Sequence, residues 1–330
     1  MNVIAIAAIT FGINVDGTAA DFQGEISGIE PLNPGDFYAV SSAQMKTLCA
    51  RIEAHRGPLP APRGGGSVAN TLDLMVRVGV PGAIIGLRGD DPLGQRFVDD
   101  ARHIGLHDLS SPVPGAVTGH DIYFRGDGTT VFTHGANALF SPESLDLEAL
   151  QNARLLILDG GVLGFGPDSE AAAAQALRIA QRNNTPFVLT LASGAVVQRH
   201  RSFFAEFAPL AQWVVGNLEQ AIELLQLPPE SSWSEVQAAV LEASLSAIVT
   251  LDAEGVFACF QNQGCHVAAE QVPVVSSVGA GDNFLGAFLT ARWRGAKVEQ
   301  ALETGNRLAA QVIQYDSARL PLSCNVNAYF

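Results

Sequence analysis

The chain has 330 residues, 48% hydrophobic and 16% charged, with a formal net charge of −14 at pH 7. That hydrophobic share supports a large core and argues against disorder. The acidic balance, with no block of Lys or Arg, disfavours nucleic acid and anionic membrane surfaces as partners, so any phosphate must be met by backbone N–H groups, helix N-termini and a few local cations.

The apolar start VIAIAAITFGI, residues 3–13, has no basic flank or small-residue cleavage pattern and is too short to span a bilayer; it reads as a buried first strand. Residues 16–36 are polar and contain Gly and Pro, as in short surface strands. Residues 41–55 read as a helix with Ser41 at its start and Met45, Leu48 and Ile52 at helical spacing. Gly64-Gly65-Gly66 leads into a second helix with the stripe Val68, Leu72, Met75 and Val76, ended by Gly79. AIIGLRGDD is expected to be a strand and LGQRFVDDARHIGL a helix. Residues 113–133 alternate, and Gly126-Asp127-Gly128 marks a β-hairpin.

The second half repeats strand then helix. The strands are LLILDG, PFVLTLA, WVVGN and SAIVTLD, the last followed by a hairpin through Gly255 and Gly264. Helices over 283–294 and 298–314 close the pattern. This alternation predicts an α/β fold, a mostly parallel sheet with helices on both faces, as one domain over 1–330 with no linker. Ligands of such sheets bind at the carboxyl ends of strands, which selects the loops at 12–16, 217 onward, 251–255 and 276–282. Cys49, Cys259, Cys265 and Cys324 form no CxxC pair. Neither zinc nor a disulfide framework is expected, and a reducing cytoplasm is the simplest setting.

Three clusters carry candidate chemistry. Gly279-Ala280-Gly281-Asp282 stands at a helix N-terminus, where unpaired N–H groups and the helix dipole suit an anion, and an adjacent carboxylate can take a hydroxyl proton. On the tetrapeptide alone, a glycine turn with Asp282 as a helix cap serves as well. Gly65-Gly66-Ser67-Val68-Ala69-Asn70 allows close approach of a small polar ligand, with Asn70 able to donate and accept; a glycine-rich helix entry is the alternative. It lacks the Lys-Ser or Lys-Thr of a Walker loop. Asn14 and Asp16 follow the first strand, where Asp16 suits a vicinal diol or an Asx turn. A dinucleotide fingerprint should close that strand, but the chain there reads TFGINVDG, which disfavours a nicotinamide oxidoreductase.

Taken together, these elements resemble the ribokinase (PfkB) family of carbohydrate and nucleoside kinases. GGSVANTLDLMVRVGVPGAIIGLRGDDPLG fits the N-terminal family signature and SSVGAGDNFLGAF the second half of the C-terminal one. FVLTLASGAVVQRHR, WVVGNLEQA and GNRLAAQVIQYDSARLP look most like its adenosine-kinase-like branch. The resemblance implies a ribokinase-like, Rossmann-like domain with a small β-sheet lid from about 17–38 and 114–133. It implies transfer of the γ-phosphate of ATP, with Mg²⁺, to a hydroxymethyl group of a sugar or nucleoside. Asp282 would be the base and Gly279, Ala280 and Gly281 the anion hole. Asn14, Asp16, Gly65, Gly66 and Asn70 would hold the substrate. Asn217, Thr250, Gly255 and Asn306 would border the nucleotide.

Two departures stand out. Ser276-Ser277 replaces the family's Asp-Thr, which speaks against a monovalent-cation site. Gln220 replaces a Glu near the metal's water shell, leaving Glu219 or Glu223 as candidates. Both departures motivate an alternative, a kinase-fold protein that binds a sugar or nucleoside with weak or no turnover. Phe11, Phe22, Phe37, Phe124 and Phe132 lie near the expected lid or substrate mouth and are candidates for stacking on a base. An exposed lid edge would let two copies pair.

Overall fold

The first apolar run is two strands, not one. In the computed structural model, which describes residues 2–22 and 37–330, β1 (Asn2–Ile6) enters a large sheet and β2 (Thr10–Val15) a separate one. Their burial patterns give the reason. β1 is buried on both faces from Val3 onward, whereas β2 alternates, with Gly12 and Asn14 half-exposed between buried Phe11, Ile13 and Val15. A strand covered on both faces belongs inside an α/β sheet, and one covered on a single face belongs to a half-open sheet.

Next come β3 (Phe37–Ala39), α1 (Ser42–Arg56), β4 (Arg63–Gly65), α2 (Ser67–Arg77), β5 (Gly82–Ile85), β6 (Leu87–Gly89) and α3 (Pro92–Ile104). β7 (His107–Asp108), β8 (Ser111–Val113), β9 (Gly119–Phe124) and β10 (Thr130–Thr133) complete the first half. The second half contains α4 (Leu147–Gln151), β11 (Ala153–Leu158), α5 (Ser169–Arg182), β12 (Phe187–Thr190), α6 (Gly194–Arg199), α7 (Arg201–Phe207) and β13 (Trp213–Asn217). It continues with α8 (Leu218–Leu225), α9 (Trp233–Glu242), β14 (Ala247–Thr250), β15 (Val256–Phe260), β16 (Gln263–Val267), α10 (Ala280–Trp293) and α11 (Val298–Val312).

The large sheet runs β16-β15-β14-β13-β12-β11-β1-β5-β7, with every pairing parallel except β14-β15 and β15-β16, so that β15 alone runs the other way. Alternation along β1 sends Val3 and Ala5 into a core shared with α2, α3, α10 and α11, and Ile4 and Ile6 into the opposite core under α5, α7 and α9. Strand order reverses between β1 and β11, so the crevice at their carboxyl ends is the switch point where ligands bind in such sheets. No helix among the described residues is long and apolar enough to cross a membrane.

The lid sheet runs β3-β10-β9-β2-β4. β9 and β10 form the expected hairpin. Ile13, Val15, Ile122, Phe124 and Val131 bury one face of the sheet against Met45, Leu48 and Ile52 of α1. The segment around 17–38 contributes β3, and residues 23–36 lie outside the described residues.

Three finer expectations change. AIIGLRGDD splits into β5 and β6, because Gly86 between them passes so close to the chain that a Cβ there would stand 2.7 Å from the Ala7 carbonyl oxygen. In the β15–β16 hairpin the turn falls at Gln261-Asn262, both with positive φ, and Gly264 lies inside β16. Phe11 and Phe124 are fully buried core residues, which removes them as stacking candidates. Phe132 meets His134 edge-on, 5.2 Å between ring centres. The side chains of Phe22 and Phe37 lie outside the described residues.

Candidate active site

Gly279 begins α10 in the left-handed region at φ 83°, and a Cβ there would stand 2.2 Å from the Ala318 carbonyl oxygen. Only glycine fits this entry without strain. Asn283 fixes the entry by donating from Nδ2 to the carbonyl oxygens of Gly279 (2.8 Å) and Ala318 (2.9 Å). The first helical bond runs from Asn283 N–H to Gly279 C=O, so the amides before it have no helical acceptor. That of Ala280 turns to the Ser277 carbonyl at 3.2 Å. Gly281 is exposed, and nothing lies within 4 Å of where its Cβ would be. The open mouth of the helix is therefore at Gly281 and Asp282.

Asp282 sits one residue deeper. Ser67 Oγ donates to its Oδ1 at 2.5 Å and Asn70 Nδ2 to its Oδ2 at 2.8 Å. Arg319 Nε donates to Asn70 Oδ1 at 2.7 Å, which sets the Asn70 amide with its nitrogen toward Asp282. Arg319 also lies 3.5 Å from Asp73, which pairs with Arg77 at 3.4 Å. Burial raises the Asp282 carboxyl above its ordinary range, opposed by the bonds from Asn70 and Ser67 and by the charge of Arg319. Both of its partners donate, a pattern that suits a carboxylate. Each carboxylate oxygen accepts about two hydrogen bonds, so room is left for a substrate hydroxyl.

Asp159 stands at the switch point, directly after β11. It accepts from Gly161 N–H at 2.9 Å and is 6% exposed. Burial pushes its carboxyl up to about 6, the charge of Asp282 adds to this, and the Gly161 and Thr190 hydrogen bonds oppose it. The two carboxylates are thus electrostatically coupled.

The other expected residues are placed as follows. Gly65 and Gly66 lead into α2, and Gly66 has φ 89° with room for no Cβ beside the Ala8 carbonyl. Asn14 is half-exposed in β2. Asp16 follows β2 with its side chain 91% exposed, 3.7 Å from Arg125. Asn217 and Thr250 are partners across the ends of β13 and β14. Gly255, at φ 99°, passes so near the Val267 carbonyl that a Cβ would clash at 2.1 Å. Asn306 donates from Nδ2 to Val267 and Ala268 carbonyls at 3.1 and 3.0 Å, tying α11 to the end of β16.

Both departures have structural duties. Gln220 closes a capping box with Asn217 and donates to the Ala192 carbonyl at 2.8 Å. Ser276 Oγ accepts from Val278 N–H at 3.3 Å. Glu223 is engaged by Arg201, while Glu219 is exposed in the first turn of α8. The described residues hold no cluster of three or more His, Cys, Asp or Glu able to bind a metal ion. One exposed carboxylate near neutral polar groups fits Mg²⁺, which keeps most of its waters and arrives on phosphates.

Ser67, Asp159, Asn283 and Arg319 were not singled out from the sequence. Asp159 ends a strand, LLILD, so the strand-end rule would have found it. Ser67 follows the glycine pair, and Arg319 gives no local signal.

The pattern of the pfkB family carbohydrate kinases matches residues 45–324. The chain belongs to that family. It is 27% identical over 257 residues to fructoselysine 6-kinase of Escherichia coli (strain K12), covering 77% of this chain and 91% of that one. It is also 27% identical over 264 residues to ribokinase of Mus musculus, covering 76% and 78%. Its fold matches adenosine kinase from Sinorhizobium meliloti with a TM-score of 0.85 at 24% identity, over 99% and 98% of the two chains. A putative ribokinase II from E. coli in complex with ATP and Mg²⁺ gives 0.76 at 21% identity, over 96% and 94%. The pfkB kinase described here thus has sugar kinases among its sequence relatives and adenosine kinases among its structural neighbours.

Proposed function

We propose that this pfkB kinase moves the γ-phosphate of ATP to a hydroxymethyl group of a sugar or nucleoside, with Asp282 as the base and the open N-terminus of α10 as the anion hole. The observation that carries the reading is the placement of Asp282 behind Gly281, its two oxygens held by Ser67 and Asn70.

The roles follow from the chemistry of in-line phosphoryl transfer, in which positioning and charge stabilisation dominate. A substrate hydroxyl docks at the free acceptor sites of Asp282, and the carboxylate takes its proton as the new P–O bond forms. The Gly281 and Asp282 amides and the positive end of α10 receive the charge on the transferring phosphoryl oxygens. Gly65 and Gly66 let the sugar approach the backbone, Asn14 and Asn70 offer polar groups to its hydroxyls, and Asp16, turned outward beside Arg125, stands at the rim where it would meet a hydroxyl only after swinging in. Asn217, Thr250 and Gly255 border the nucleotide side, and Asn306 supports that border from α11. Mg²⁺ arriving with ATP would neutralise phosphate charge, and Glu219, exposed in the first turn of α8, would hold part of its water shell.

The test is ATP-dependent product formation over D-ribose, D-fructose, other free sugars and adenosine. Phosphorylated product from at least one compound supports the reading. Ligand-induced stabilisation with no phosphate transfer from any of them overturns it in favour of a non-catalytic binder.

A further inference from the structure

The lid sheet carries a carboxylate that the reading above does not use. Asp121 lies in β9 opposite Gly12 of β2. It is partly buried, and among the described residues no hydrogen bond or ion pair reaches its side chain. Burial alone pushes its carboxyl up to about 7. An unpartnered buried carboxylate lowers stability unless something else occupies the space in front of it.

Strand alternation fixes which way it faces. The residues flanking Asp121 in register, Ile13 and Ile122, belong to the face covered by α1. Gly12, Asn14, Asp121 and Tyr123 therefore share the opposite face. That face looks onto the proposed active site. Arg63, the register partner of Gly12, and Arg125, two positions beyond Tyr123, both reach Asp316. Asp316 lies three residues before Arg319, whose guanidinium holds Asn70 against Asp282. On β2, Thr10 is the register partner of Gly65, at the entry to α2. Gly12 lies two residues further along, about 7 Å at the rise of a strand, a distance on the scale of one sugar ring.

Gly12 is what makes room. A Cβ at that position would stand 3.3 Å from Asp121 Oδ2, so the carboxylate overhangs the bare backbone of the neighbouring strand. Asp16, by contrast, points from the end of β2 into solvent and toward Arg125.

We propose that Asp121 is a substrate-binding residue, its carboxylate accepting hydrogen bonds from adjacent hydroxyls of a sugar, free or as the ribose of a nucleoside. The inference rests on the kinase reading for the position of the substrate. The ligand's hydroxyls supply the donors that the carboxylate lacks and hold the sugar so that its hydroxymethyl group lies toward Asp282.

The experiment compares Asp121→Asn with the wild-type chain over D-ribose, D-fructose and adenosine, by steady-state kinetics and by the melting-temperature shift each compound gives without ATP. Hydrogen bonds to a charged group correspond to roughly a 10–100-fold change in affinity. The variant should raise KM for the accepted compound by that factor with kcat within about threefold, the pattern of lost uniform binding. Its unliganded melting temperature should equal or exceed that of the wild type, because a desolvated charge has been removed. Whether free sugars or adenosine show the effect distinguishes the two sources of the hydroxyls. A KM within twofold of wild type overturns the proposal, as does a variant with a lowered melting temperature and a matching fall in kcat. If the wild type transfers no phosphate but a sugar stabilises it and not the variant, the kinase reading falls and the role of Asp121 stands.

Discussion

Asp282→Asn separates catalysis from folding, because the structure lets an amide occupy the same space. Asn70 Nδ2 donates to one oxygen at 2.8 Å, and Ser67 Oγ, able to accept as well as donate, lies 2.5 Å from the other. The substituted amide can accept from Asn70 through its oxygen and donate to Ser67 through its nitrogen, so both contacts persist while the proton acceptor is lost. General-base catalysis contributes typically 10²–10⁴-fold, about 3–5 kcal/mol of barrier at 1.36 kcal/mol per decade. The expected result is a kcat lowered by roughly that factor, with KM for both substrates within a few-fold. Stability should not fall, since the change removes one of two coupled, buried carboxylates and relieves Asp159 of a neighbouring charge. The assay is steady-state turnover with the best substrate from the panel, alongside thermal melting at pH 8. A kcat within threefold of wild type would refute the assignment of the base, and so would a loss of activity explained by a loss of folded protein.

Two glycines separated by one residue should respond differently to alanine. Gly279→Ala forces a Cβ into the Ala318 carbonyl at φ 83° and should lower the melting temperature by several degrees. Gly281→Ala meets no protein atom and should melt like wild type, yet lose 10-fold or more in kcat/KM as its methyl group intrudes on the phosphate. Asp159→Asn tests the buried pair. Its carboxyl is raised from 3.8 to about 6, so the folded state holds that proton more tightly than the unfolded state. The resulting stability is full below pH ~4 and lost as pH rises through about 6, a difference of about 3 kcal/mol. Denaturant titrations at pH 4 and pH 7.5 should show the variant gaining on the wild type at the higher pH, and parallel behaviour would contradict the shift. Arg319→Ala removes the positive charge that holds the Asp282 carboxyl down and the 2.7 Å bond that orients Asn70. The acid limb of its kcat/KM profile should move to higher pH with activity down about 10-fold, whereas Arg319→Lys should restore the limb more than the rate.

Much of the fold was legible because the strands of the large sheet are buried on both faces and read as continuous apolar runs between helical stripes. The lid was harder. β1 and β2 form one apolar run in the sequence, and only the alternation around Gly12 and Asn14 marks the change of sheet. Gly86 and the Gln261-Asn262 turn depend on close approach between distant segments and on backbone dihedrals, which composition does not encode. At the site, the glycine motifs and Asp282 were visible because helix-entry chemistry is local. Arg319 and Asp121 were not, since each acquires its role from another element: Arg319 from an asparagine 249 positions away, Asp121 from a glycine on the adjacent strand. Gln220 looked like a lost acid and is a helix cap, an outcome set by its position three residues after Asn217.

The segment 316–319 touches the site at three points: Asp316 binds the lid arginines, the Ala318 carbonyl seats the start of α10, and Arg319 orients Asn70. This has a consequence during synthesis on the ribosome. The strands and helices that form both cores up to α10 can assemble earlier, with Ser67 and Asn70 already able to meet Asp282, but the Ala318 seat of Gly279 and Asn283, the Asp316 link to the lid arginines and the hold of Arg319 on Asn70 are missing until residue 319 has emerged. Phosphotransferase activity should thus be the last native property a growing chain acquires, and an unfinished chain already folded over its first 300 residues would not yet consume ATP.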